Sequence, residues 1–106
     1  MTKILFTGDF CPINRVAGLV NTSNYSDIFC DFLPLIRDAD ISITNLECPL
    51  IDRGKKIEKS GPNLKASKKS IEALVYAGFD LVTLANNHIM DYGGEGLVST
   101  LDSCEK

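Results

Sequence analysis

The strongest constraint on the fold is an apolar run that ends directly in three polar side chains. Residues 81–86 (Leu-Val-Thr-Leu-Ala-Asn) are typical of a buried β-strand, and Asn86, Asn87 and His88 close it without a break. Ligands of open α/β sheets bind beyond the carboxyl ends of the parallel strands. We therefore expect the two amides and the imidazole of the only histidine in the chain to lie at a ligand-binding edge.

Three strand patterns alternate with three helical patterns along the 106 residues. The strands are predicted over residues 3–7, 41–46 and 80–85. The helical patterns cover residues 28–36, the segment from Ser67 as its cap to Gly78, and the segment that begins at Gly93-Gly94. This order predicts a single α/β domain with a mainly parallel sheet, because parallel strands need crossover connections between them.

Local composition predicts the remaining segments. Residues 10–26 contain Pro12, Gly18 and a polar run, which is typical of a long surface loop. Residues 55–59 are predicted as a short edge strand or hairpin arm, because lysines commonly protect exposed sheet edges. Pro34 is expected either in the first turn of its helix or at a kink. The last two helices are predicted to bury Ile71, Leu74 and Val75 and, in the second, Leu97, Val98, Leu101 and Cys104.

Polar side chains follow all three predicted strands. Because the carboxyl ends of parallel strands meet at one edge of a sheet, we expect these side chains to converge. They are Asp9, Asn45, Glu47, Asn86, Asn87 and His88. Carboxylate and amide oxygens and a neutral imidazole are ligands for magnesium, manganese, zinc or iron. In phosphoester chemistry, His88 is expected either to bind the metal or to protonate a leaving oxygen.

Each of these residues also has a purely structural interpretation. Asp9 follows a glycine, as in many turns, and Glu47 is also compatible with a solvated loop. The Asn-Asn-His run is also compatible with a helix cap or a turn. Asp91 either accepts a hydrogen bond from His88 or begins the N-terminal turn of the following helix. The convergence of three strand ends favours a functional site over these separate explanations.

A lysine-rich segment polarises a chain that is otherwise acidic. Residues 53–69 hold seven of the 11 basic side chains and one of the 14 acidic ones. The net charge of −3 gives no argument for a nucleic-acid partner. The segment is either a solvated, edge-protecting surface or a site that captures an anionic polymer electrostatically. The contacts expected in the second case are Lys55, Lys56, Lys59 and Lys65.

The sequence as written shows neither a membrane span nor an export signal. We therefore expect a soluble, cytoplasmic chain that encodes no membrane attachment of its own. Four cysteines show no Cys-x-x-Cys spacing, and we expect most of them to be reduced thiols packed as small apolar side chains. They are Cys11, Cys30, Cys48 and Cys104.

Four motifs, spread over most of the chain, resemble those of a known family. They are Thr-Gly-Asp at residues 7–9, Asp-Ile-Ser-Ile-Thr-Asn-Leu-Glu-Cys-Pro-Leu at 40–50, Gly-Pro-Asn-Leu-Lys-Ala at 61–66 and Ala-Gly-Phe-Asp-Leu-Val-Thr-Leu-Ala-Asn-Asn-His-Ile-Met-Asp-Tyr-Gly at 77–93. Together they resemble the bacterial CapA family of capsule and poly-γ-glutamate synthesis proteins. The resemblance implies a calcineurin-like metallophosphoesterase fold, which is an α/β/β/α sandwich with a dinuclear metal site at the strand ends.

The resemblance also implies roles for individual residues. Asp9 matches the first carboxylate ligand, Glu47 the metal-bridging position, and Asn87 an amide ligand. His88 matches the histidine that contacts the phosphoryl group. The family's common Asp-x-His start is changed here, because its third position holds Cys11, which is either a ligand for a soft metal or a bystander thiol. A supporting role or a substrate contact is expected for Asn45, Asn86, Asp91 and Cys11.

The resemblance ends before the family's later histidine-containing segments, of the His-Trp-Gly and Gly-His-x-His types. It therefore implies that residues 1–106 form a partial domain without its C-terminal half, with weak metal affinity and an exposed sheet that favours homo-oligomers. The implied role is synthesis or handling of an anionic surface polymer, often at the cell envelope. Three functions remain open: a phosphoesterase that is inactive as this chain alone, a non-catalytic polyanion-binding module, and a fragment completed by a second chain.

Overall fold

A three-stranded parallel sheet in the order β1-β2-β3 forms the centre of the computed structural model, which describes residues 1–105. The strands are β1 (Ile4–Phe10), β2 (Ile41–Leu46) and β3 (Leu81–Thr83). The helices are α1 (Arg15–Asn21), α2 (Ser26–Phe29), α3 (Leu33–Asp38), α4 (Ser70–Ala77) and α5 (Gly93–Cys104). A 3₁₀ turn, Cys30–Phe32, joins α2 to α3. The predicted α/β class and parallel sheet are confirmed.

The helices pack on one face of this sheet, where two apolar clusters form the core. The first cluster consists of Val20, Phe29, Ile36, Ala73 and Ala77 from α1 to α4. The second consists of Leu46, Cys48, Leu50 and Ala66. Val82 of β3 and Cys104 of α5 pack against the second cluster. Alternate residues of β2 are buried, because they face these clusters.

The opposite face of the sheet is open. Phe6 aligns with Ile43, and Ile43 aligns with Leu81, so an apolar row crosses all three strands. Phe6 is 71% exposed and Leu81 is 56% exposed. The prediction that β3 is a buried strand is therefore wrong for this side, and β1 is open here too. The face is exposed because no helix or strand among residues 1–105 covers it.

A bulge in β1 determines on which side of the sheet Asp9 lies. Phe6 pairs with Ile43 and Asp9 pairs with Asn45, so β1 has one more residue than β2 between the two pairs. Asp9 therefore lies on the open face together with Asn45. Thr83, the β3 partner of Asn45, completes this polar row beside the apolar one.

The region between β1 and β2 differs from the prediction in two ways. It contains an unpredicted helix at its start, and the helix predicted after it is interrupted. Residues 10–26 are not one loop, because α1 forms within them and buries Val20 in the core. The helix predicted over residues 28–36 is interrupted because Cys30 has a φ of 49°. Pro34 lies in the first turn of α3, which is one of its two predicted positions.

Helix α4 ends as predicted, at Gly78 with a φ of 95°. Its start differs from the prediction, because the side chain of Ser67 does not cap the helix. The Ser67 carbonyl oxygen instead accepts a hydrogen bond from the Ser70 N–H. Val75 was predicted to be buried but is exposed. The buried apolar face consists instead of Ala73, Leu74 and Ala77.

Helix α5 begins at the predicted Gly93 but buries a different face. Val98 and Leu101 are exposed, contrary to the prediction. The buried residues are Gly96, Thr100 and Ser103. Thr100 explains why this face is buried. Its hydroxyl accepts a hydrogen bond from the Leu50 N–H at 2.8 Å and donates one to the Gly96 carbonyl at 2.7 Å. Within residues 1–105, no helix has the length and apolar character needed to cross a membrane.

Candidate functional site

Asn45, near the end of β2, holds the two predicted ligand carboxylates together. Its Nδ2 donates to Asp9 Oδ1 at 2.7 Å and to Glu47 Oε2 at 2.6 Å. Two carboxylates from neighbouring strands therefore meet at one amide group. The sequence predicted that these three residues lie close together, but the central position of Asn45 follows from the register that the β1 bulge sets.

Asn86 connects the end of the third strand to this pair. Its Nδ2 donates to Asn45 Oδ1 at 3.2 Å and to the Leu46 carbonyl at 2.8 Å. Its Oδ1 accepts the backbone N–H of His88 at 3.0 Å, which shapes the turn after β3. Asn87 is exposed, and its side chain forms no hydrogen bond among residues 1–105. The structure thus places Asn86, at the end of the third strand, next to the residue that holds the carboxylate pair.

His88 is oriented by Asp91. The ring atom Nδ1 lies 2.6 Å from Asp91 Oδ2, and the Asp91 side chain is 1% exposed. An ionised carboxylate can only accept, so the proton lies on Nδ1 and Nε2 is the ring nitrogen left for a ligand. Of the two predicted roles of Asp91, acceptance of a hydrogen bond from His88 is the one found.

Asp91 also fixes the lysine-rich segment. Its Oδ1 accepts from Lys59 Nζ at 2.6 Å, and its Oδ2 accepts the Leu64 N–H at 2.7 Å. Its carbonyl oxygen accepts the Ile57 N–H at 2.9 Å. The strand predicted at residues 55–59 does not form, because the backbone of this segment bonds to Asp91 rather than to a sheet edge.

The pKa of Asp91 reflects a competition between burial and hydrogen bonding. Burial alone would raise its pKa. Hydrogen bonds from Lys59, from the backbone of Leu64 and from His88 outweigh burial, so the pKa lies below the ordinary aspartate value. Asp91 is therefore ionised at neutral pH and can balance positive charge on Lys59 and His88.

The four predicted polyanion contacts divide into two groups. Lys59 is held by Asp91, and Lys65 Nζ donates to the Asp52 carbonyl at 3.0 Å. Lys55 and Lys56 are exposed, and in the described part of the chain neither forms an ion pair. Of the four, Lys55 and Lys56 are therefore the exposed lysines whose side chains form no hydrogen bond or ion pair among residues 1–105.

Cys11 and Cys48 place two interacting thiols beside the carboxylates. The contact with Cys48 lowers the pKa of Cys11, against the opposing effects of burial and of the nearby carboxylates. The same contact, together with burial, raises the pKa of Cys48. Sequence reasoning treated these cysteines separately. The signal available was their position, since each lies one or two residues after the end of a neighbouring strand.

The donors around Asp9 and Glu47 fit a hard divalent cation in their chemistry but are few. Two carboxylates that share one N–H₂ group keep free lone pairs for magnesium or manganese. Among residues 1–105, no three His, Cys, Asp or Glu side chains lie close enough together to hold a metal ion. The residues present therefore fit part of a metal site.

The sequence matches known proteins over nearly its full length. Residues 3–106 match the model of the family described as bacterial capsule synthesis protein PGA_cap. The chain is 32% identical over 97 residues to the capsule biosynthesis protein CapA of Bacillus anthracis, which covers 89% of this chain and 24% of that protein. It is 29% identical over 102 residues to the PGA biosynthesis protein CapA of Bacillus subtilis, covering 95% of this chain and 27% of that protein.

These matches confirm the resemblance to CapA and set its extent. The chain spans about a quarter of the length of the curated relatives it matches. The matched residues include the carboxylate pair, the turn with His88 and the lysine-rich segment. The chain therefore belongs to the PGA_cap family of bacterial capsule synthesis proteins.

Proposed function

We propose that this chain acts in the synthesis or handling of an anionic capsule polymer, as the names of its relatives suggest, and carries part of a metal-dependent phosphoester site. A metallophosphoesterase scaffold would hold its metal at the strand ends, where Asp9 and Glu47 lie. The observation that carries the proposal is the meeting of Asp9 and Glu47 at Asn45, together with a histidine that Asp91 orients on the turn after β3. Burial of the apolar side chains of the sheet does not account for any of these polar contacts.

The carboxylates of Asp9 and Glu47 would hold the metal, with the amide oxygen of Asn87 as a further ligand. A magnesium or manganese ion bound there would offset negative charge on a phosphoryl group. Asn45 keeps the two carboxylates together, and Asn86 holds the turn that carries Asn87. In this proposal Asp9 and Glu47 supply negative charge to the metal, and Asn45 and Asn86 fix the positions of the ligands.

His88 would act as a general acid. In its protonated form, Nε2 donates a proton to the leaving oxygen of an ester, and the ring returns to the neutral form with its proton on Nδ1. Asp91 accepts from Nδ1 in both forms, so it keeps the ring in one orientation throughout. Lys59 holds Asp91 from its other oxygen.

Manganese binding, followed by the loss of the free-ion signal in electron paramagnetic resonance, tests this site. We expect weak binding by the chain, lost in Asp9→Asn and in Glu47→Gln and retained in Asp102→Asn, a control on the exposed surface of α5. Equal binding by all four proteins would contradict the assignment. Tight stoichiometric binding by the unaltered chain would contradict the partial donor set.

A second candidate function, a non-catalytic polyanion-binding module, is favoured by Lys55 and Lys56. Both are exposed in a segment that holds most of the positive charge. Electrostatic capture predicts binding to poly-γ-glutamate that weakens as salt rises. The double variant Lys55→Ala/Lys56→Ala should lose it, whereas Asp9→Asn and the control Lys3→Ala should not. Binding to poly-γ-glutamate that changes neither with salt concentration nor in the double variant would exclude this function.

A further inference from the structure

We propose that Cys11 and Cys48 form a reversible thiol–disulfide site at the ends of β1 and β2. The two strands are neighbours, and their last paired residues are Phe10 and Leu46. The Glu47 N–H donates to the Phe10 carbonyl at 3.0 Å, which continues the strand contact by one residue. Cys11 and Cys48 therefore leave adjacent strand ends side by side.

Packing brings the two sulfur atoms into the same cluster. Cys48 belongs to the second apolar cluster, and Cys11 packs against that cluster from its edge. A disulfide forms between cysteines whose backbones are already neighbours, because its geometry tolerates little separation.

The two cysteines differ in access to solvent, which assigns their order of reaction. Cys48 is 0% exposed, whereas Cys11 is half-buried. A dissolved oxidant can therefore reach Cys11 first, and Cys48 can then react with the sulfur of Cys11 within the protein. Cys30 is exposed, but its thiol donates a hydrogen bond to the Asp27 carbonyl of the preceding helix α2.

The oxidant that we name is a small-molecule disulfide such as oxidised glutathione. The Cys11 sulfur attacks one sulfur of the small disulfide, a mixed disulfide forms, and one small thiol leaves with the proton from Cys11. The Cys48 sulfur then attacks the Cys11 sulfur, the protein disulfide forms, and the second small thiol leaves with the proton from Cys48. The protein dithiol is oxidised by two electrons, and the small disulfide is reduced to two thiols.

Peptide mapping of the whole chain by mass spectrometry tests the proposal. After treatment with oxidised glutathione, we expect a peptide pair joined through Cys11 and Cys48, and its loss on addition of dithiothreitol. In Cys48→Ser, the glutathione adduct on Cys11 should persist, because the second step has no thiol. The variants Cys30→Ser and Cys104→Ser should still form the joined pair at the rate of the unaltered chain.

Three results would overturn the proposal. One is a joined pair that contains Cys104, which packs against the same cluster. Another is stable glutathione adducts on Cys11 in the unaltered chain with no joined peptide. The last is a chain in which Cys30 alone reacts. Because the first measurement uses the unaltered chain, a failure of Cys48→Ser to fold does not affect it.

Discussion

His88 Nδ1 lies 2.6 Å from one oxygen of Asp91, and Lys59 Nζ lies 2.6 Å from the other oxygen of the same carboxylate. One buried side chain therefore connects the candidate general acid to the lysine-rich segment. The same residue also binds the backbone of that segment at Ile57 and Leu64. A change at Asp91 is expected to affect both regions at once.

We expect Asp91→Asn to lower the free energy of unfolding by about 3 kcal/mol at neutral pH. The substitution leaves the Lys59 ammonium beside a neutral amide in a mostly buried position, and unpaired buried charge is costly. Urea unfolding followed by circular dichroism measures the change. Asp102→Asn on the surface of α5 is the matched control. Similar losses in both variants would show that the contacts of Asp91 contribute little.

The stability should also fall in acid through Asp91. Its pKa in the folded chain lies below the ordinary value, so its contribution is complete above a pH of about 4 and is lost as the pH falls through the lower folded value. Urea unfolding at a series of pH values from 7 down to 2 should show this loss. Asp91→Asn should show a shallower decline in the acid range. An unchanged slope would mean that other carboxyl groups account for the acid effect.

Asn45→Ala is expected to destabilise the chain by about 1–2 kcal/mol. The substitution removes the donor that Asp9 and Glu47 share, and it also removes the acceptor of Asn86. The loss should be larger at low salt, because the two carboxylates then repel each other without screening. Thermal unfolding at two salt concentrations measures it. Asn24→Ala, at an exposed asparagine that bonds to a local hydroxyl, is the control and should show no salt-dependent loss.

Thr100→Val should cost about 1–3 kcal/mol although it barely changes the side-chain volume. The hydroxyl of Thr100 is fully buried and accepts the Leu50 N–H, which the valine leaves without a partner. Thr100→Ser keeps the hydroxyl and should cost less. Chemical unfolding of both variants compares them. A larger loss in the serine variant would assign the stability to the methyl group instead.

Phe6→Lys should reduce self-association through the open face of the sheet. Phe6 is the most exposed side chain of the apolar row, so we expect light scattering to show a dimer or larger species for the unaltered chain and a smaller species for the variant. Val75→Lys, at an exposed position on α4, is the control and should leave the larger species intact. A monomer with a sharp two-state transition in the unaltered chain would contradict this expectation.

The sequence predicted the sheet well because hydrophobic alternation and strand ends are local properties. The bounds of β2 were predicted to the residue, and Gly78 was correctly predicted to end α4. Helix α1 was missed because its valine, glycine and asparagine residues have low helix propensity, and burial of Val20 compensates for this. The buried face of α5 was missed because the need of Leu50 for a hydrogen-bond partner cannot be read from apolar spacing.

The site was predictable only to the level of which strand ends meet. The rule for parallel strands brought Asp9, Asn45 and Glu47 together without any knowledge of their contacts. The pairing of Lys59 with Asp91 joins residues 32 positions apart, through a segment without regular secondary structure, and no periodic pattern reports such a contact. Long-range polar pairs of this kind require the folded backbone.

The bulge in β1 gives this strand one residue more than its pairing with β2 requires. A Cβ atom added at Gly8 would meet no other atom within 4 Å, so Gly8→Ala should be tolerated. A deletion of Gly8 would remove the extra residue, so that β1 pairs regularly with β2 and Asp9 stays opposite Asn45 on the open face. We therefore expect the chain without Gly8 to fold and to keep Asp9 beside Asn45.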